Sequence, residues 1–368
     1  MPFQSRWTIP IPTTSIPSAL FGSPTAPLPH EPLFIDTTRP GTHYLSLHSF
    51  RAWSARLAVG LRTAGLQRGE RVVLFAGNSI FFPVLVMGVV MAGGVCSTAN
   101  PAFTVRELAF QLQDAGASFV LAARANVERA LGAADRARVP RERVFLFEDV
   151  SLDGEEDQGD GGREEIEETV VPHWKCLLAP PEIGRDFRWE ELRTAEEVGR
   201  TVILIYSSGT TGLPKGVELS HRNVVANVCQ LFHMQTLDPR FAASKCPKTL
   251  GFLPMYHALG LIYYGFVAPK RGLQVYVMER FELFRVVENI QRFRITELLM
   301  VPPILIAMAK HPMIREGRHD LSSVIKASCG AAPLGMEAMS LFQELWPEGS
   351  IKVRQGWGMS ESVVLRVP

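Results

Sequence analysis

The chain has 368 residues, of which 46% are hydrophobic and 20% are charged, a composition typical of a soluble globular protein. This length favours two packed units over one, because single hydrophobic cores stop growing near roughly 250–300 residues. Thirty-eight basic and 37 acidic residues give a formal net charge of +1. No global field therefore favours nucleic acid or an anionic membrane, and a small anionic ligand would be held by local groups.

Five cysteines are scattered along the chain, and none lies in a Cys-x-x-Cys pair or a Cys/His cluster with zinc spacing. This pattern predicts reduced thiols in an intracellular protein without a structural zinc. The proline-rich N-terminus lacks a basic segment followed by an apolar one, so a secretory signal is not expected. The ending Arg-Val-Pro is not Ser-Lys-Leu, and cytoplasmic and peroxisomal locations are not distinguished.

Pro, Ser and Thr dominate the start of the chain, which predicts an extended N-terminal segment over residues 1–45. Strand-like and helix-like segments then alternate, which predicts α/β subdomains over residues 46–199 and 200–368 with mostly parallel sheets covered on both faces. The predicted strands are residues 71–76, 118–122, 201–206, 250–253, 273–277, 296–301, 324–327 and 351–355. The predicted helices are residues 51–66, 80–91, 105–115, 221–233, 259–267, 281–292, 303–310 and 335–346.

One segment, residues 80–95, is apolar throughout and carries no charge. A membrane span needs about 20 such residues, and this segment is shorter and contains Pro83. A helix that is apolar on every side must be buried somewhere. The sequence therefore favours a buried core helix over membrane insertion.

Residues 148–168 hold eleven acidic residues and a single base, Arg163. Such a run cannot bury enough apolar surface to offset the entropy of ordering it. It predicts a mobile acidic surface loop, with a functional acidic patch as the alternative.

The strongest local signal follows the predicted strand 201–206. Residues 207–216 read SSGTTGLPKG. The three glycines let the backbone approach a ligand closely, and the segment also holds four hydroxyls and a lysine suited to phosphate. At the carboxyl end of a strand this composition predicts phosphate binding. The spacing is not the Walker pattern, which argues against a P-loop NTPase. A flexible polar turn is the alternative reading.

Four segments, in the same order along the chain, carry a resemblance to a known family. Residues 207–216 resemble the signature loop of the adenylate-forming superfamily, which includes acyl-CoA synthetases, luciferases and peptide-synthetase adenylation domains. PMYH at 254–257 resembles its aromatic–His motif beside the acyl pocket. GAAP at 330–333 and QGWGMSE at 355–361 resemble its two adenine-contacting loops. The likeness is closest to coumarate–CoA ligase and related ligases.

This resemblance implies two stacked αβα subdomains and an acid–thiol ligase, which makes an acyl-adenylate from ATP and a carboxylic acid and then a thioester with CoA. ATP, Mg²⁺ and CoA are the implied ligands. The implied phosphate-binding residues are Ser207, Ser208, Gly209, Thr210, Thr211, Gly212 and Lys215. The residues implied around adenine are Gly330, Ala331, Ala332, Pro333, Gln355, Gly356, Trp357 and Gly358.

The resemblance implies that the residues that act in adenylate formation are Lys215, His257, Ser360 and Glu361. In-line attack on phosphorus needs positioning and charge stabilisation more than covalent work. Ser360 would donate to the α-phosphate, and Glu361 would ligate Mg²⁺, which usually takes one or two carboxylates plus phosphate oxygens. The resemblance places His257 beside the approach of the carboxylate and CoA. A structural histidine and a solvated surface glutamate are the alternatives.

Three positions bear on specificity. Trp357 stands where the family usually has Tyr, and its ring can still stack on adenine. Leu259 stands where coumarate ligases often have Tyr, which weakens the expectation of a hydroxycinnamate substrate. Arg280 stands where related ligases often carry a basic residue that contacts CoA, with a solvated surface charge as the alternative.

After the Ser360–Glu361 loop the family continues with a β-barrel and a C-terminal lid that carries a catalytic lysine, whereas only residues 362–368 remain here. Loss of one preorganised donor costs about 10²–10³ in rate. The sequence thus predicts a chain that binds ATP weakly and adenylates slowly. Two alternatives stay open, namely an adenylating enzyme with a carrier-protein or oxygen acceptor, and a non-catalytic ATP- or acyl-binding fragment.

Overall fold

The computed structural model describes residues 7–152, 171–207, 212–238 and 246–363. Within these ranges, thirteen strands form two open sheets. The strands are β1 (Pro32–Asp36), β2 (Tyr44–Ser46), β3 (Arg71–Phe75), β4 (Val95–Thr98), β5 (Ala117–Ala123), β6 (Val144–Phe147), β7 (Thr201–Ser207), β8 (Lys215–Ser220), β9 (Lys248–Gly251), β10 (Gln274–Val277), β11 (Glu297–Met300), β12 (Lys326–Cys329) and β13 (Val353–Gln355).

Both sheets are parallel except at one edge. The six-stranded sheet has the order β6-β5-β3-β4-β7-β8, and only β7 and β8 pair antiparallel. The seven-stranded sheet has the order β13-β12-β11-β9-β10-β1-β2, and only β1 and β2 pair antiparallel. The predicted α/β fold with mostly parallel sheets is confirmed.

Helices connect and cover the strands. The α-helices of the described residues are α1 (Ile16–Phe21), α2 (Leu47–Thr63), α3 (Phe82–Ala92), α4 (Val105–Ala115), α5 (Val127–Ala137), α6 (Pro181–Asp186), α7 (Ala195–Val198), α8 (His221–Thr236), α9 (Ala258–Ile262), α10 (Ala268–Arg271), α11 (Leu283–Phe293), α12 (Pro302–Lys310), α13 (Pro312–Arg315) and α14 (Met336–Gln343). A π-helical turn, Tyr263–Val267, joins α9 to α10, so the helix predicted over residues 259–267 is interrupted.

Residues close to the helix ends determine where several helices begin and end. The hydroxyls of Ser46, Thr104 and Ser220 each accept a hydrogen bond from the backbone three residues further on, which satisfies a donor at the start of α2, α4 and α8. Gly93 and Gly116 end α3 and α4 in the left-handed conformation that glycine adopts without strain.

The apolar segment predicted as a core helix forms α3, in which every residue is buried. Gly88 lets α3 approach α2, since a Cβ there would lie 2.7 Å from a Leu57 methyl carbon. In the described part of the chain, the helices are too short or too polar to cross a membrane.

Strand pairing crosses the predicted domain boundary at 199/200. β1 and most of β2 fall in the segment predicted as extended, yet β1 pairs with β10 of the later half. β7 and β8 fall in the later half, yet β7 pairs with β4 of the first half. A strand's partner is chosen by tertiary packing and cannot be read from its own residues. That residues 46–199 and 200–368 are separate folding units remains a prediction.

Most of the predicted acidic loop, residues 153–168, lies outside the described residues. Its first two residues are ordered by contacts with the fold. The Glu148 carboxylate accepts a hydrogen bond of 2.8 Å from Arg124. Asp149 accepts one from Ser79 and lies 3.3 Å from the buried His43 ring.

Candidate functional site

The predicted site residues follow the carboxyl ends of parallel strands in both sheets. Ser207 ends β7, the PMYH segment follows β9, Gly330 follows β12 and Gly356 follows β13. This edge of an α/β sheet is where such folds bind ligands, because the strand-to-helix loops gather there.

The predicted phosphate loop connects β7 to β8. Ser207 and Lys215 are paired residues at the loop end of this antiparallel pair. Ser208, Gly209, Thr210 and Thr211 lie outside the described residues. Gly212 has φ +154°, and the Lys215 side chain is exposed and forms no ion pair with a described residue. The lysine ammonium can therefore reach an anion from solvent.

The predicted Ser360–Glu361 pair lies in a short 3₁₀ helix, Ser360–Ser362, that packs against β7 and β8. Ser360 is half-buried and Glu361 is exposed. Glu361 forms no ion pair within the described ranges. An exposed carboxylate beside a lysine-bearing hairpin has the donor chemistry that suits Mg²⁺, which keeps several waters and takes few protein ligands.

A cavity of about 330 Å³ lies beside this helix. It brings together the loops after β9, β11, β12 and β13. Apart from the imidazole of His257, the described residues give it no titratable side chain. Its lining residues are Leu253, Pro254, His257, Ala258, Leu259, Gly260, Val301, Gly330, Ala331, Gly356, Gly358, Met359 and Ser360.

His257 precedes α9 at the edge of the cavity. Its backbone N–H donates to the Pro254 carbonyl at 3.2 Å, and its ring centroid lies 4.6 Å from that of Tyr256. His257 is exposed as a residue, yet the surrounding protein partly shields its ring from water, and this desolvation lowers the pKa of the imidazole. The ring is thus uncharged at pH 7 and can either donate or accept a hydrogen bond.

Gly260 allows α9 to sit directly on the PMYH segment. A Cβ at this position would lie 2.1 Å from the Pro254 carbonyl oxygen, closer than any real contact. Any other residue would push α9 away from the loop and change the cavity wall.

The two predicted adenine loops lie next to each other. The Gly356 N–H donates to the Cys329 carbonyl at 2.8 Å, and the Gly330 N–H donates to the Met300 carbonyl at 3.1 Å. A Cβ on Gly330 would lie 3.2 Å from the Gly356 carbonyl oxygen. Ala331 has φ +71°, a left-handed conformation uncommon for a residue with a side chain.

Several predicted site residues do not line the cavity. Ala332, Pro333 and Trp357 are exposed, with Trp357 60% exposed, and Gln355 is half-buried at the end of β13. Arg280 does not line the cavity either, and its exposed guanidinium pairs with Glu282 at 3.0 Å. Its predicted contact with CoA stays a prediction.

The sequence reading missed Asn78, Thr98 and Val301. Asn78 and Thr98 hydrogen-bond to the segment before His257, and Val301 lines the cavity. Their positions in the sequence could have identified them, because each residue lies at or just past the end of a buried strand.

Comparison with known proteins agrees with this geometry. Residues 26–367 match the family described as AMP-binding enzyme. A phenylacetyl-CoA ligase of Aspergillus niger is 32% identical over 362 residues, which is 98% of this chain and 62% of the relative. A 4-coumarate–CoA ligase of Oryza sativa is 32% identical over 86% of this chain and 53% of the relative. The chain thus spans between half and two thirds of these relatives.

Solved structures support the same fold. A luciferase-like enzyme of Zophobas morio superposes with a TM-score of 0.79 at 19% identity, over 98% of this chain and 76% of that one. A long-chain-fatty-acid-CoA ligase of Archaeoglobus fulgidus gives 0.78 at 21% identity, over 97% and 66%. At this identity the likeness to solved structures concerns the fold alone. The family is assigned from the sequence match over residues 26–367. By its sequence and its two-sheet fold, the chain belongs to the AMP-binding enzyme family.

Proposed function

We propose that this chain carries the acid-activating site of an AMP-forming acyl-CoA ligase. One observation carries the proposal: the uncharged cavity beside His257 includes Ser360, whose 3₁₀ helix packs against the hairpin that holds Ser207 and Lys215. An apolar acyl group and a polyphosphate would therefore meet at Ser360.

In the first proposed step, a carboxylate oxygen attacks the α-phosphorus of ATP. A new oxygen–phosphorus bond forms, the bond to pyrophosphate breaks, and acyl-AMP and pyrophosphate result. Lys215 and the β7–β8 connection would hold the leaving phosphates, and Ser360 would donate to the α-phosphate. Mg²⁺ would arrive with ATP, with the Glu361 carboxylate as its protein ligand.

In the second proposed step, the CoA thiol gives its proton to water and its sulfur attacks the acyl carbonyl carbon. A carbon–sulfur bond forms, the bond from that carbon to the AMP oxygen breaks, and acyl-CoA and AMP result. Before the first step, when the acid is still a free carboxylate, the uncharged His257 ring at the cavity edge can orient it without forming an ion pair that would hold it back. Relatives named as CoA ligases favour CoA over a carrier protein as the acceptor.

The cavity also supports a class of acid. Leu259, Val301 and Ala331 give it apolar walls, and apart from the uncharged His257 no acidic or basic residue of its described lining could pair with a second charge on the substrate. We therefore propose an acid whose acyl group is apolar and uncharged. Phenylacetate is a reasonable first probe, since one relative is named for it.

Pyrophosphate exchange and thioester formation test the proposal. With phenylacetate and a panel of apolar acids, exchange between ATP and labelled pyrophosphate should depend on acid, and free CoA should yield a thioester. MgATP binding without acid-dependent exchange would instead favour a non-catalytic binding fragment, and exchange without thioester would favour another acceptor.

A further inference from the structure

Asn78 links the two sheets at the candidate site. It follows β3 in the six-stranded sheet, yet its buried amide nitrogen lies within hydrogen-bond distance of three carbonyls on the other side, those of Gly251 at 3.2 Å, Leu253 at 3.1 Å and Met278 at 3.1 Å. Its side-chain oxygen accepts the Met255 N–H at 2.8 Å. The amide thus bonds to backbone groups at and just beyond the carboxyl ends of β9 and β10.

Thr98 makes a second link from the same sheet. It is the last residue of β4 and is 4% exposed, and its hydroxyl donates to the Tyr256 carbonyl at 2.7 Å. Together the two side chains hold the segment from Gly251 to Tyr256 at four backbone positions. His257 is the next residue.

We propose that Asn78 and Thr98 are positioning residues for the acyl group. They form an inter-sheet clamp, defined by these two side chains, that fixes the backbone leading to His257 and with it the wall formed by Leu253 and Pro254. This inference rests on the proposed function, because it assigns the cavity to the acyl group.

The clamp acts on one end of the site. Its hydrogen bonds go to the loops after β9 and β10, whereas the predicted phosphate contacts lie on the β7–β8 hairpin and the Ser360–Ser362 helix. Loss of the clamp should therefore weaken binding of the acyl group while leaving binding of the nucleotide nearly unchanged.

Two matched ligands separate these ends. The first probe is 5′-O-(N-phenylacetylsulfamoyl)adenosine, a stable acyl-adenylate analogue, and the second is 5′-O-sulfamoyladenosine, which lacks the acyl group. The ratio of their dissociation constants, measured by calorimetry, isolates the acyl contribution. For the unaltered chain we expect the acylated analogue to bind at least 30-fold more tightly.

The variants follow from the hydrogen bonds. Thr98→Val removes the hydroxyl with little change of shape and should cut the ratio about fivefold to tenfold, whereas Thr98→Ser keeps the hydroxyl and should restore it. Asn78→Ala should cut the ratio at least tenfold. Asn78→Asp keeps an acceptor oxygen but has no N–H to donate to the three carbonyls, so this variant should be no better than Asn78→Ala.

Asn126→Ala is the matched control. Asn126 is also a buried asparagine beside β3, but its amide donates to the Phe75 carbonyl within the same sheet at 3.2 Å. This variant should lower the melting temperature and keep the affinity ratio. A purely structural role for the clamp predicts the same behaviour for Asn78→Ala and Thr98→Val.

The outcomes are distinct. If the unaltered chain binds neither analogue, or binds both equally, the proposed acyl site fails and the clamp with it. If it shows the expected ratio and every folded variant keeps that ratio, the proposed function stands and the clamp is refuted. Should Asn78→Ala not fold, the comparison of Thr98→Val with Thr98→Ser decides.

Discussion

Ser207 and Lys215 stand opposite each other across the antiparallel pair of β7 and β8, so that the two ends of the predicted phosphate loop are fixed side by side. Directly opposed residues place their side chains on the same face of a sheet, about 4.5–5.5 Å apart at Cβ. The hydroxyl and the ammonium can therefore approach one anion together.

Replacement of Lys215 tests this arrangement. Lys215→Ala should weaken MgATP binding about 10- to 100-fold, because a hydrogen bond to a charged group contributes about 1.5–3 kcal/mol. Calorimetry measures the change. Lys352→Ala is the control, since Lys352 is exposed and precedes the amino end of β13 in the seven-stranded sheet, whereas the site loops follow the carboxyl ends of the strands. Equal affinities in Lys215→Ala and the unaltered chain would remove the support for a phosphate site here.

The apolar cavity leads to a second prediction. Leu259→Asp places a carboxylate on the wall of the cavity, where it repels an acid substrate and loses apolar contact. Acid-dependent pyrophosphate exchange with phenylacetate should fall at least tenfold, while MgATP affinity stays within about twofold. Ile183→Asp, at an exposed position of α6, should leave both unchanged. A normal rate in Leu259→Asp would place the acid elsewhere.

A third prediction concerns a buried ion cluster away from the site. Arg271 donates two hydrogen bonds to Glu297, of 2.7 and 3.0 Å, and Lys326 lies 3.5 Å from the same carboxylate. Burial opposes ionisation of Glu297, but the Arg271 hydrogen bonds and the Lys326 charge outweigh it and hold the pKa of Glu297 below its usual value.

Glu297→Gln should therefore lower the free energy of unfolding by about 3–5 kcal/mol, because it leaves two buried cations without their carboxylate. Urea denaturation measures this. Glu344→Gln, which breaks an exposed pair with Arg315, should cost less than about 1 kcal/mol. Similar losses in the two variants would show that burial does not strengthen the Glu297 cluster.

The fourth prediction is a pH dependence of stability that arises at His221. Its Nδ1 accepts the Ile16 N–H at 3.1 Å, which ties α1 to the start of α8. Burial, with a smaller effect from Arg200, lowers the pKa of His221 to about 4. Between the unfolded pKa of about 6.5 and this value, the unfolded chain binds the proton and the folded chain does not.

The His221 contribution to stability is therefore complete above about pH 6.5 and is lost as the pH falls towards 4, by up to about 1.4 kcal/mol per pH unit. Urea denaturation at pH 7 and pH 5 measures the difference. His221→Asn keeps an acceptor near the Nδ1 position and should reduce that difference. A pH difference unchanged in His221→Asn would assign it to other groups.

Much of the candidate site could be read from the sequence because its signals are local. Three glycines, four hydroxyls and a lysine after a buried strand indicate phosphate chemistry wherever that strand lies in the sheet. The length and even hydrophobicity of α3 likewise indicate burial without naming a partner.

The tertiary structure decided which segments meet. β1 reached the later half of the chain, Asn78 bonded to a backbone 177 residues away, and Val301 joined the cavity wall. None of these follows from periodicity or turn chemistry, since a strand offers the same backbone hydrogen bonds to every possible neighbour and an amide suits any pair of unsatisfied carbonyls. The sequence alone determined the chemistry of each segment, and the packing of the two sheets selected the partners, because only the complete fold satisfies all buried groups at once.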